Sequence, residues 1–261
     1  MNYQDILNSH LKYGTNKNDI IKNRGYENIL ENVVIAPWWS YEMFNGKFGK
    51  IDMINDKVYN IYGKDFSFSF IELKRIGAPG IMDYILSLGL TDCRNLIFLG
   101  SAGSLDSNIN IGDIVIPKYS ICGDGASRYL NNKFKDEFGL KEYPSENITN
   151  KLIRILDLKK INYYNVPNFS TDSLFLEFIH LNEIINMGAK TIEMETSILF
   201  KCNTVLNINM TAIFCISYNI VNKKSLYSGR GKEEHDYRHK VRNEIISDVI
   251  VDLFRKGDNN E

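Results

Sequence analysis

Five short apolar runs, each rich in β-branched residues, recur along the chain and are separated by segments with helical spacing. The runs span residues 33–36, 66–73, 95–99, 114–116 and 211–216. Each has the length of a strand and ends at a glycine, a proline or a polar residue. This alternation of strands and helices predicts an α/β fold around a largely buried sheet that is mixed or parallel.

Three segments between or after these runs have apolar residues at helical spacing. They cover residues 79–90, 194–203 and 235–254. The last carries its apolar residues on one face, which predicts packing against the sheet with a solvated charged face. Residues 131–150 are polar and irregular, so we expect a surface excursion there. No repeat, low-complexity block or domain boundary interrupts the chain, which predicts one domain over residues 1–261.

The charge balance and the cysteines exclude several classes of protein. Lys and Arg number 31 and Asp and Glu 32, for a net charge of −1, so no cationic excess is present to bind a nucleic-acid backbone. No apolar run approaches the roughly 20 residues that span a bilayer, and the first residues lack the pattern of a signal peptide. The four cysteines show no CxxC spacing, which favours buried thiols over disulfides or a metal site. We therefore expect a cytoplasmic protein that binds no nucleic acid, membrane or metal.

A stretch of small residues, Gly100-Ser101-Ala102-Gly103, directly follows one of the apolar runs. Its glycines allow backbone N–H groups and the Ser101 hydroxyl to approach an anion or a sugar closely. The stretch is not a P-loop, because no Gly-Lys-Ser or Gly-Lys-Thr follows it. A tight turn at the end of a strand is the alternative interpretation.

Two carboxylates, Glu193 and Glu195, flank Met194 where a polar stretch opens an apolar helix. They can accept hydrogen bonds from vicinal hydroxyls, or they can complement the dipole of the helix. Upstream, Leu174 and Phe175 follow a stretch with the composition of a turn. These two residues can line an apolar slot for a flat ring or belong to the core.

In order and spacing, these stretches together resemble the nucleoside phosphorylases of the hexameric purine and uridine phosphorylase type, with the related methylthioadenosine nucleosidases. The resemblance extends from about residue 8 to 254. The matching stretches are residues 10–11, 17–19, 76–79, 100–103, 110–116, 124–127, 170–175 and 193–196. The resemblance implies a single α/β domain with a central mixed, partly barrel-like β-sheet flanked by helices. It also implies that no cofactor is needed.

Members of this family cleave the N-glycosidic bond of a nucleoside and pass the ribosyl group to phosphate or, in the nucleosidases, to water. By resemblance, Glu195 binds the ribose hydroxyls, Met194 packs under the sugar, and Glu193 lies beside them. Ser101 corresponds to a contact with phosphate or ribose, in the turn that it forms with Ala102 and Gly103.

The resemblance also implies roles at the base and at a subunit interface. Leu174 and Phe175 fall where an aromatic pair flanks the base. His10 corresponds to a histidine that reaches the 5′ end of the nucleoside in a neighbouring subunit, so residues 1–30 are expected to contribute to that subunit. The assembly implied is a homo-oligomer, either a dimer or a hexamer built as a trimer of dimers.

Two arginines that hold phosphate in the family's phosphorylases are absent at their usual positions. The family's Gly-Asp-Pro-x-Arg loop is replaced by a stretch that contains Trp38, Trp39 and Glu42, and the second arginine position is Phe98. These changes remove bidentate contacts to the anion, so either another cation binds phosphate or water is the acceptor. The candidate replacements are Lys57, Lys74 and Arg75. The bulky Trp38 and Trp39 can stack on a base or a 5′ substituent, or they can belong to the core.

The residues with which the family reads the base are also replaced. Where an acid on a late strand protonates a purine, this chain has Tyr218, which can donate a hydrogen bond but has an ordinary pKa of about 10. The glutamine and arginine that read uracil fall at Phe178 and His180. Two hypotheses remain: an enzyme that transfers the pentosyl group of a nucleoside to phosphate or water, and a nucleoside-binding protein without turnover.

Overall fold

The computed structural model describes residues 1–256, in which ten strands form one sheet. The strands are β1 (Asn32–Pro37), β2 (Lys50–Met53), β3 (Val58–Tyr62), β4 (Ser67–Leu73), β5 (Asn95–Ser104), β6 (Ile114–Gly123), β7 (Lys141–Glu142), β8 (Tyr163–Thr171), β9 (Thr191–Glu193) and β10 (Asn209–Asn219).

Residues 1–256 also form eight α-helices, which pack around this sheet. They are α1 (Tyr3–Lys12), α2 (Lys17–Arg24), α3 (Ala78–Leu88), α4 (Glu146–Leu158), α5 (Leu181–Asn186), α6 (Thr196–Leu206), α7 (Lys232–Lys240) and α8 (Ser247–Leu253). Short 3₁₀ helices cover Tyr41–Phe44 and Ser127–Leu130, and a π-helical segment, Val241–Ile246, joins α7 to α8. Within the described residues, no helix is both long and apolar enough to cross a membrane.

The sheet is mixed and curls into a partial barrel. Strands β5, β10, β6, β8 and β9 form a ring, because β10 pairs with both β5 and β6, and β9 pairs with both β8 and β5. Strands β1, β4, β3 and β2 extend from β5 in that order as a wing, and the short β7 pairs with β6. Pairs β1–β5, β10–β5 and β6–β8 are parallel, whereas β10–β6 and β5–β9 are antiparallel. The predicted α/β domain with a mixed, partly barrel-like sheet is confirmed.

Helices cover both faces of the wing because alternate residues of its central strands face opposite ways. In β1, Val33 and Ile35 belong to a core that also contains buried residues of α3 and α6. Val34 and Ala36 belong to a second core that contains buried residues of α4 and α8. Burial on both faces explains the uninterrupted apolar runs in the sequence.

The five apolar runs correspond to β1, β4, β5, β6 and β10, and the four cysteines are free and buried, as predicted. Three expectations were wrong in detail. The segment 131–150 contains β7 and the first turns of α4, which is amphipathic and buries Ile148 and Leu152. The helix expected from residue 194 begins at Thr196, because Glu193 still pairs as part of β9. The C-terminal helix is divided by the π-helical segment.

Helix α4 offers a matched pair of leucines that tests the second core. Leu152 is fully buried, whereas Leu158 at the end of the same helix is 73% exposed. We expect Leu152→Ala to lower the free energy of unfolding by about 2 to 5 kcal/mol, because it leaves a cavity. Leu158→Ala is expected to change it by no more than about 0.5 kcal/mol. Urea denaturation followed by circular dichroism measures both, and equal losses would contradict this packing.

Candidate active site

A cavity of about 240 Å³ opens at the carboxyl ends of three parallel strands, β1, β5 and β10. Its walls come from these strand ends, the junction of β9 with α6, and the C-terminal helical segment. Loops and helix ends at the carboxyl edge of parallel strands are where α/β proteins bind their ligands. Most of the residues predicted for the sugar and phosphate sites lie here: Ser101, Gly103, Glu193, Met194 and Glu195.

Glu195 is held at one side of this cavity by two backbone donors. Its Oε1 accepts a hydrogen bond of 2.5 Å from the N–H of Gly77, and its Oε2 accepts one of 3.2 Å from the N–H of Met194. Gly77 has a φ of +84°, a left-handed conformation that favours glycine. The N–H groups of Gly77 and Met194 thus fix the Glu195 carboxylate next to the Met194 side chain, which is predicted to lie under the sugar.

Glu193 receives more hydrogen bonds than any other acid of the site. Its Oε1 accepts from Asn168, Ser170 and Thr196 side chains at 2.5 to 2.9 Å. Its Oε2 accepts from the N–H groups of Glu195 and Thr196 at 2.6 and 2.9 Å. Five donors stabilise the charged form of a carboxylate, so Glu193 carries the negative charge of the pair and supports the start of α6.

The two carboxyl groups are buried and close together, and this changes their protonation. Burial raises the pKa of both, and burial together with the neighbouring charge of Glu193 raises the pKa of Glu195 to about 8. The two backbone donors to Glu195 act in the opposite direction. At neutral pH the pair therefore holds one proton, which lies on Glu195. Hydrogen bonds from the hydroxyls of a bound sugar would favour the release of this proton.

The glycine turn in β5 brings β10 very close. A Cβ on Gly103 would lie 2.3 Å from ring carbons of Tyr218, so only glycine fits there. A bulge in β10 between Ile216 and Tyr218 sets this contact. Ala102, which was predicted as part of the binding turn, is buried in the core, and its carbonyl accepts a hydrogen bond of 3.2 Å from Ser217.

Two arginines that the sequence interpretation missed also line this cavity. Arg238 of α7 donates a hydrogen bond of 2.7 Å from Nη2 to the Ser101 hydroxyl, and Arg242 follows one turn later. The charged face of α7 is mostly exposed, as expected, but that expectation was wrong for these two half-buried arginines. An i, i+4 arginine pair was the available signal, but periodicity alone does not reveal that this face borders a cavity.

These guanidinium groups are half-buried and, among residues 1–256, lack the acidic partners that desolvated arginines normally have. Among residues 1–256, no carboxylate lies within ion-pair distance of either one. The Nε of Arg238 is buried and has no hydrogen-bond partner within the same residues. Burial lowers the pKa of both arginines, and the nearby charges of Arg230 and Arg242 lower the pKa of Arg238 further. Arg242 stacks on the ring of Trp39 at 5.6 Å.

The lysine and arginine residues proposed as replacements lie elsewhere. Lys74 and Arg75 are exposed, Lys57 is half-buried, and the described part of the chain places none of the three on the cavity wall. Glu42 is exposed in the short 3₁₀ helix, so the acid at the old arginine position does not repel an anion from this wall. Phe98, at the second lost position, does line the cavity.

Trp38 and Trp39 both border the cavity but differ in how far they are buried. Trp39 is 3% exposed and packs in the second core while one side of it borders the cavity. Trp38 is 62% exposed at the mouth of the cavity and has a φ of +61°. A large side chain in the left-handed region is uncommon, and here it follows directly on the last residue of β1.

Of the residues predicted to contact the base, only some line the cavity of their own chain. Leu174 lines the cavity, whereas Phe175 is 77% exposed and lies 6.5 Å from the ring of Tyr227. Phe178 is partly exposed, and His180 is exposed, with its ring nitrogen 3.2 Å from Glu183. Neither Phe178 nor His180 is part of the cavity wall.

His10 lies in α1, on a separate cavity of about 370 Å³ between α1, α2 and α3. It is therefore not part of the Glu195 cavity of its own chain. Its predicted contact with a neighbouring subunit stays a prediction. In residues 1–256, no group of three or more His, Cys, Asp or Glu side chains is arranged to hold a metal ion.

A buried acid that the sequence interpretation missed lies behind Tyr218. The Tyr218 hydroxyl donates a hydrogen bond of 3.1 Å to Oε2 of Glu177, which is 2% exposed. Burial raises the pKa of Glu177 to about 7, and burial and the nearby Glu177 raise the pKa of Tyr218. The position after Ser217, where the family has an acid, is thus occupied by a phenol in contact with a carboxyl group from another segment.

The fold is of the nucleoside phosphorylase type. The chain belongs to the phosphorylase superfamily, whose family model matches residues 70–248. The fold is similar to that of a uridine phosphorylase from Vibrio fischeri ES114, with a TM-score of 0.72 and 17% identity over 87% of this chain and 92% of that one. It is also similar to a purine nucleoside phosphorylase from Toxoplasma gondii in complex with immucillin-H, with a TM-score of 0.70 and 16% identity over 87% and 92% of the two chains. A third similar structure is that of a P. knowlesi homologue of P. falciparum PNP. Its TM-score is 0.67, with 16% identity over 85% of this chain and 87% of that one.

The shared proton of the glutamate pair predicts how stability depends on pH. Because the pKa of Glu195 is about 8 in the folded protein and about 4.3 in an unfolded chain, only the folded form holds this proton between those values. Stability is therefore expected to fall as pH rises from 5 towards 8, and Glu195 alone contributes on the order of 1 kcal/mol for each pH unit. Glu177, whose pKa burial raises to about 7, acts in the same direction.

The variant Glu195→Gln removes this titration, so we expect its free energy of unfolding to decline less over the same range. Glu27→Gln, at an exposed position, serves as the control and is expected to follow the wild type. Urea denaturation at pH 5, 6.5 and 8 measures the slopes. An unchanged slope in Glu195→Gln would show that Glu195 is already ionised at pH 5.

Proposed function

We propose that this protein is a nucleoside phosphorylase, which transfers the pentosyl group of a nucleoside to inorganic phosphate and releases the free base. The observation that carries the proposal is a single cavity lined both by a carboxylate pair and by two guanidinium groups that have no carboxylate partner within residues 1–256. The carboxylate pair can accept hydrogen bonds from the hydroxyls of a sugar, and the guanidinium groups can bind an oxyanion. Phosphorolysis needs both ligands side by side.

The ribose site is proposed at Glu195 and Met194. Ribose hydroxyls donate to the Glu195 carboxylate, which the N–H groups of Gly77 and Met194 hold in place. The Met194 side chain, next to the same carboxylate, provides an apolar surface under the sugar ring. As the glycosidic bond breaks, positive charge develops on the ribose, and the negative charge of the pair stabilises it.

The phosphate site is proposed at Ser101, Arg238 and Arg242. Arg238 already contacts the Ser101 hydroxyl, and its buried Nε has no hydrogen-bond partner among residues 1–256. A phosphate ion supplies the acceptor for this donor and the negative charge that the half-buried guanidinium groups lack within the same residues. The two arginines thus replace those lost from the loop after β1 and from position 98, which favours phosphate over water as the acceptor.

A panel of purine and pyrimidine nucleosides, incubated with and without phosphate and separated by chromatography, tests this proposal. We expect base release that depends on phosphate and yields a pentose phosphate. Equal release without phosphate would show a nucleosidase. Nucleoside binding in calorimetry without release of base would show a binding protein.

The variant Arg238→Gln tests the proposed phosphate site directly. We expect kcat/KM for phosphate to fall by about 100-fold or more, because an ionic, charge-assisted contact to the anion is lost. The affinity for nucleoside is expected to change little. Arg154→Gln, at an exposed position on α4, is the matched control and should keep wild-type kinetics. A wild-type response to phosphate in Arg238→Gln would place the anion elsewhere.

We also propose that His10 completes the site of a neighbouring subunit in a homo-oligomer. This proposal rests on the family resemblance and on the position of His10, which lies away from the Glu195 cavity of its own chain. Equal amounts of His10→Ala and Glu195→Gln chains, unfolded and refolded together, are expected to regain activity, since one site in each mixed pair has both residues. Refolding each variant alone is the control, and no gain on mixing would contradict the shared site.

A further inference from the structure

Five carboxylic side chains are buried in the described part of the chain: Asp124, Glu137, Glu177, Glu193 and Glu195. Four of them have the partners that a buried carboxylate requires. Asp124 accepts from Ser127 and Ser197, Glu137 is paired with Lys201, and the two site glutamates accept backbone N–H groups.

Glu177 is the exception among these five. Its Oε2 accepts one hydrogen bond, from Tyr218, and its Oε1 is buried with no partner in residues 1–256. Within the described part of the chain, neither a cation nor a backbone N–H compensates a charge at this place. A buried carboxyl group with so few donors is more stable as the neutral acid, which agrees with a pKa of about 7.

Tyr218 connects this acid to the active site. The tyrosine lines the same cavity as Glu195, and its ring lies directly against Gly103 of the glycine turn. The bulge before Tyr218 and the absence of a side chain at Gly103 together fix the ring between the cavity and Glu177. The carboxyl group and the cavity are therefore joined by a single phenol.

We propose that Tyr218 and Glu177 form a proton-donating pair that hydrogen-bonds the base of the nucleoside and protonates it as the glycosidic bond breaks. This inference rests on the proposed function. Tyr218 contacts the base, so it is the catalytic residue, whereas Glu177 acts through it. The ligand recognised is a base that carries an acceptor nitrogen or oxygen towards the tyrosine hydroxyl.

The step balances without any further reactant. The bond between the sugar carbon and the base nitrogen breaks, and its electron pair goes to the base. When the base binds, the Tyr218 hydroxyl turns from Oε2 of Glu177, to which it donates in the structure, to the acceptor atom of the base, and the protonated Glu177 then donates to the Tyr218 oxygen. The phenolic proton of Tyr218 moves to the base, and the carboxylic proton of Glu177 moves to the Tyr218 oxygen. Glu177 is left as a carboxylate, and solvent returns its proton after the base leaves.

This relay explains how a phenol can act where an acid is needed. A tyrosine alone is a weak acid at neutral pH, and the low-dielectric surroundings of Tyr218 make its anion still less stable. Transfer from Glu177 avoids the anion, because the oxygen receives one proton as it gives up another. The charged and titratable groups that face the pair are Tyr227, from the loop after β10, and Glu193 of β9.

The test compares two leaving groups in Tyr218→Phe and Glu177→Gln. One substrate is the best nucleoside of the panel, and the other is 4-nitrophenyl β-D-riboside, whose nitrophenolate leaves without a proton. Both are assayed with phosphate. We expect kcat/KM for the nucleoside to fall by about 100- to 10,000-fold in each variant, and kcat/KM for the nitrophenyl riboside to fall by less than about threefold. The second substrate also shows that the variants are folded.

The pH profile gives a second readout that a purely structural role would not change. In the wild type, kcat/KM for the nucleoside is expected to decline as pH rises through about 7, because the protonated form of Glu177 is the active one. This decline is expected to vanish in Glu177→Gln and to be absent with the nitrophenyl riboside. Full nucleoside activity in Glu177→Gln, or an equal loss on both substrates, would overturn the inference.

The same assay separates this inference from the proposed function. A wild-type enzyme that cleaves the nitrophenyl riboside but no nucleoside would overturn the proton-donating pair and leave pentosyl transfer to phosphate standing. A wild-type enzyme that cleaves neither substrate would overturn the proposed function itself.

Discussion

The pairing of β5 with β10 is the contact on which the site depends. Ten residue pairs join these parallel strands from Asn95 and Asn209 onwards, and they close the barrel. Ser101 and Gly103 come from one strand and Tyr218 from the other, so the register sets the distance between the proposed phosphate and base sites. The bulge after Ile216 adds one residue at this point, and that residue turns Tyr218 against the glycine.

The cavity gathers charges of both signs, which the total charge does not reveal. The chain has a net charge of −1, yet Glu193, Glu195, Arg238 and Arg242 all line the same cavity. The two acids are buried and the two arginines are half-buried, and their charges are imperfectly neutralised. The acids lack cations and the arginines lack carboxylates within the described residues, so a sugar with developing positive charge and an anionic acceptor would complete both.

The sequence predicted the parts whose signals are local. Uninterrupted apolar runs indicated the buried strands, and the order of the glycine turn and the Glu193-Met194-Glu195 stretch indicated the family. Strands β2, β3, β8 and β9 were missed because their burial depends on neighbours that are distant along the chain.

Sequence patterns missed Arg238 and Glu177 for the same physical reason. Arg238 lies on a polar helix face that looks solvated in the sequence, and it contacts Ser101 across 137 residues. Glu177 lies in a turn among apolar residues, and its partner Tyr218 is 41 residues away. In both cases the chemistry comes from a contact between distant segments, which neither periodicity nor spacing can predict.

The position of the bound anion tests the account most directly. A crystal soaked in arsenate, an analogue of phosphate with a strong anomalous signal, would locate it. The account predicts one anomalous peak within hydrogen-bonding distance of the Ser101 hydroxyl and the Arg238 guanidinium, next to Glu195. A peak in the loop after β1, near Glu42, or no peak in the cavity of an enzyme that depends on phosphate, would contradict it.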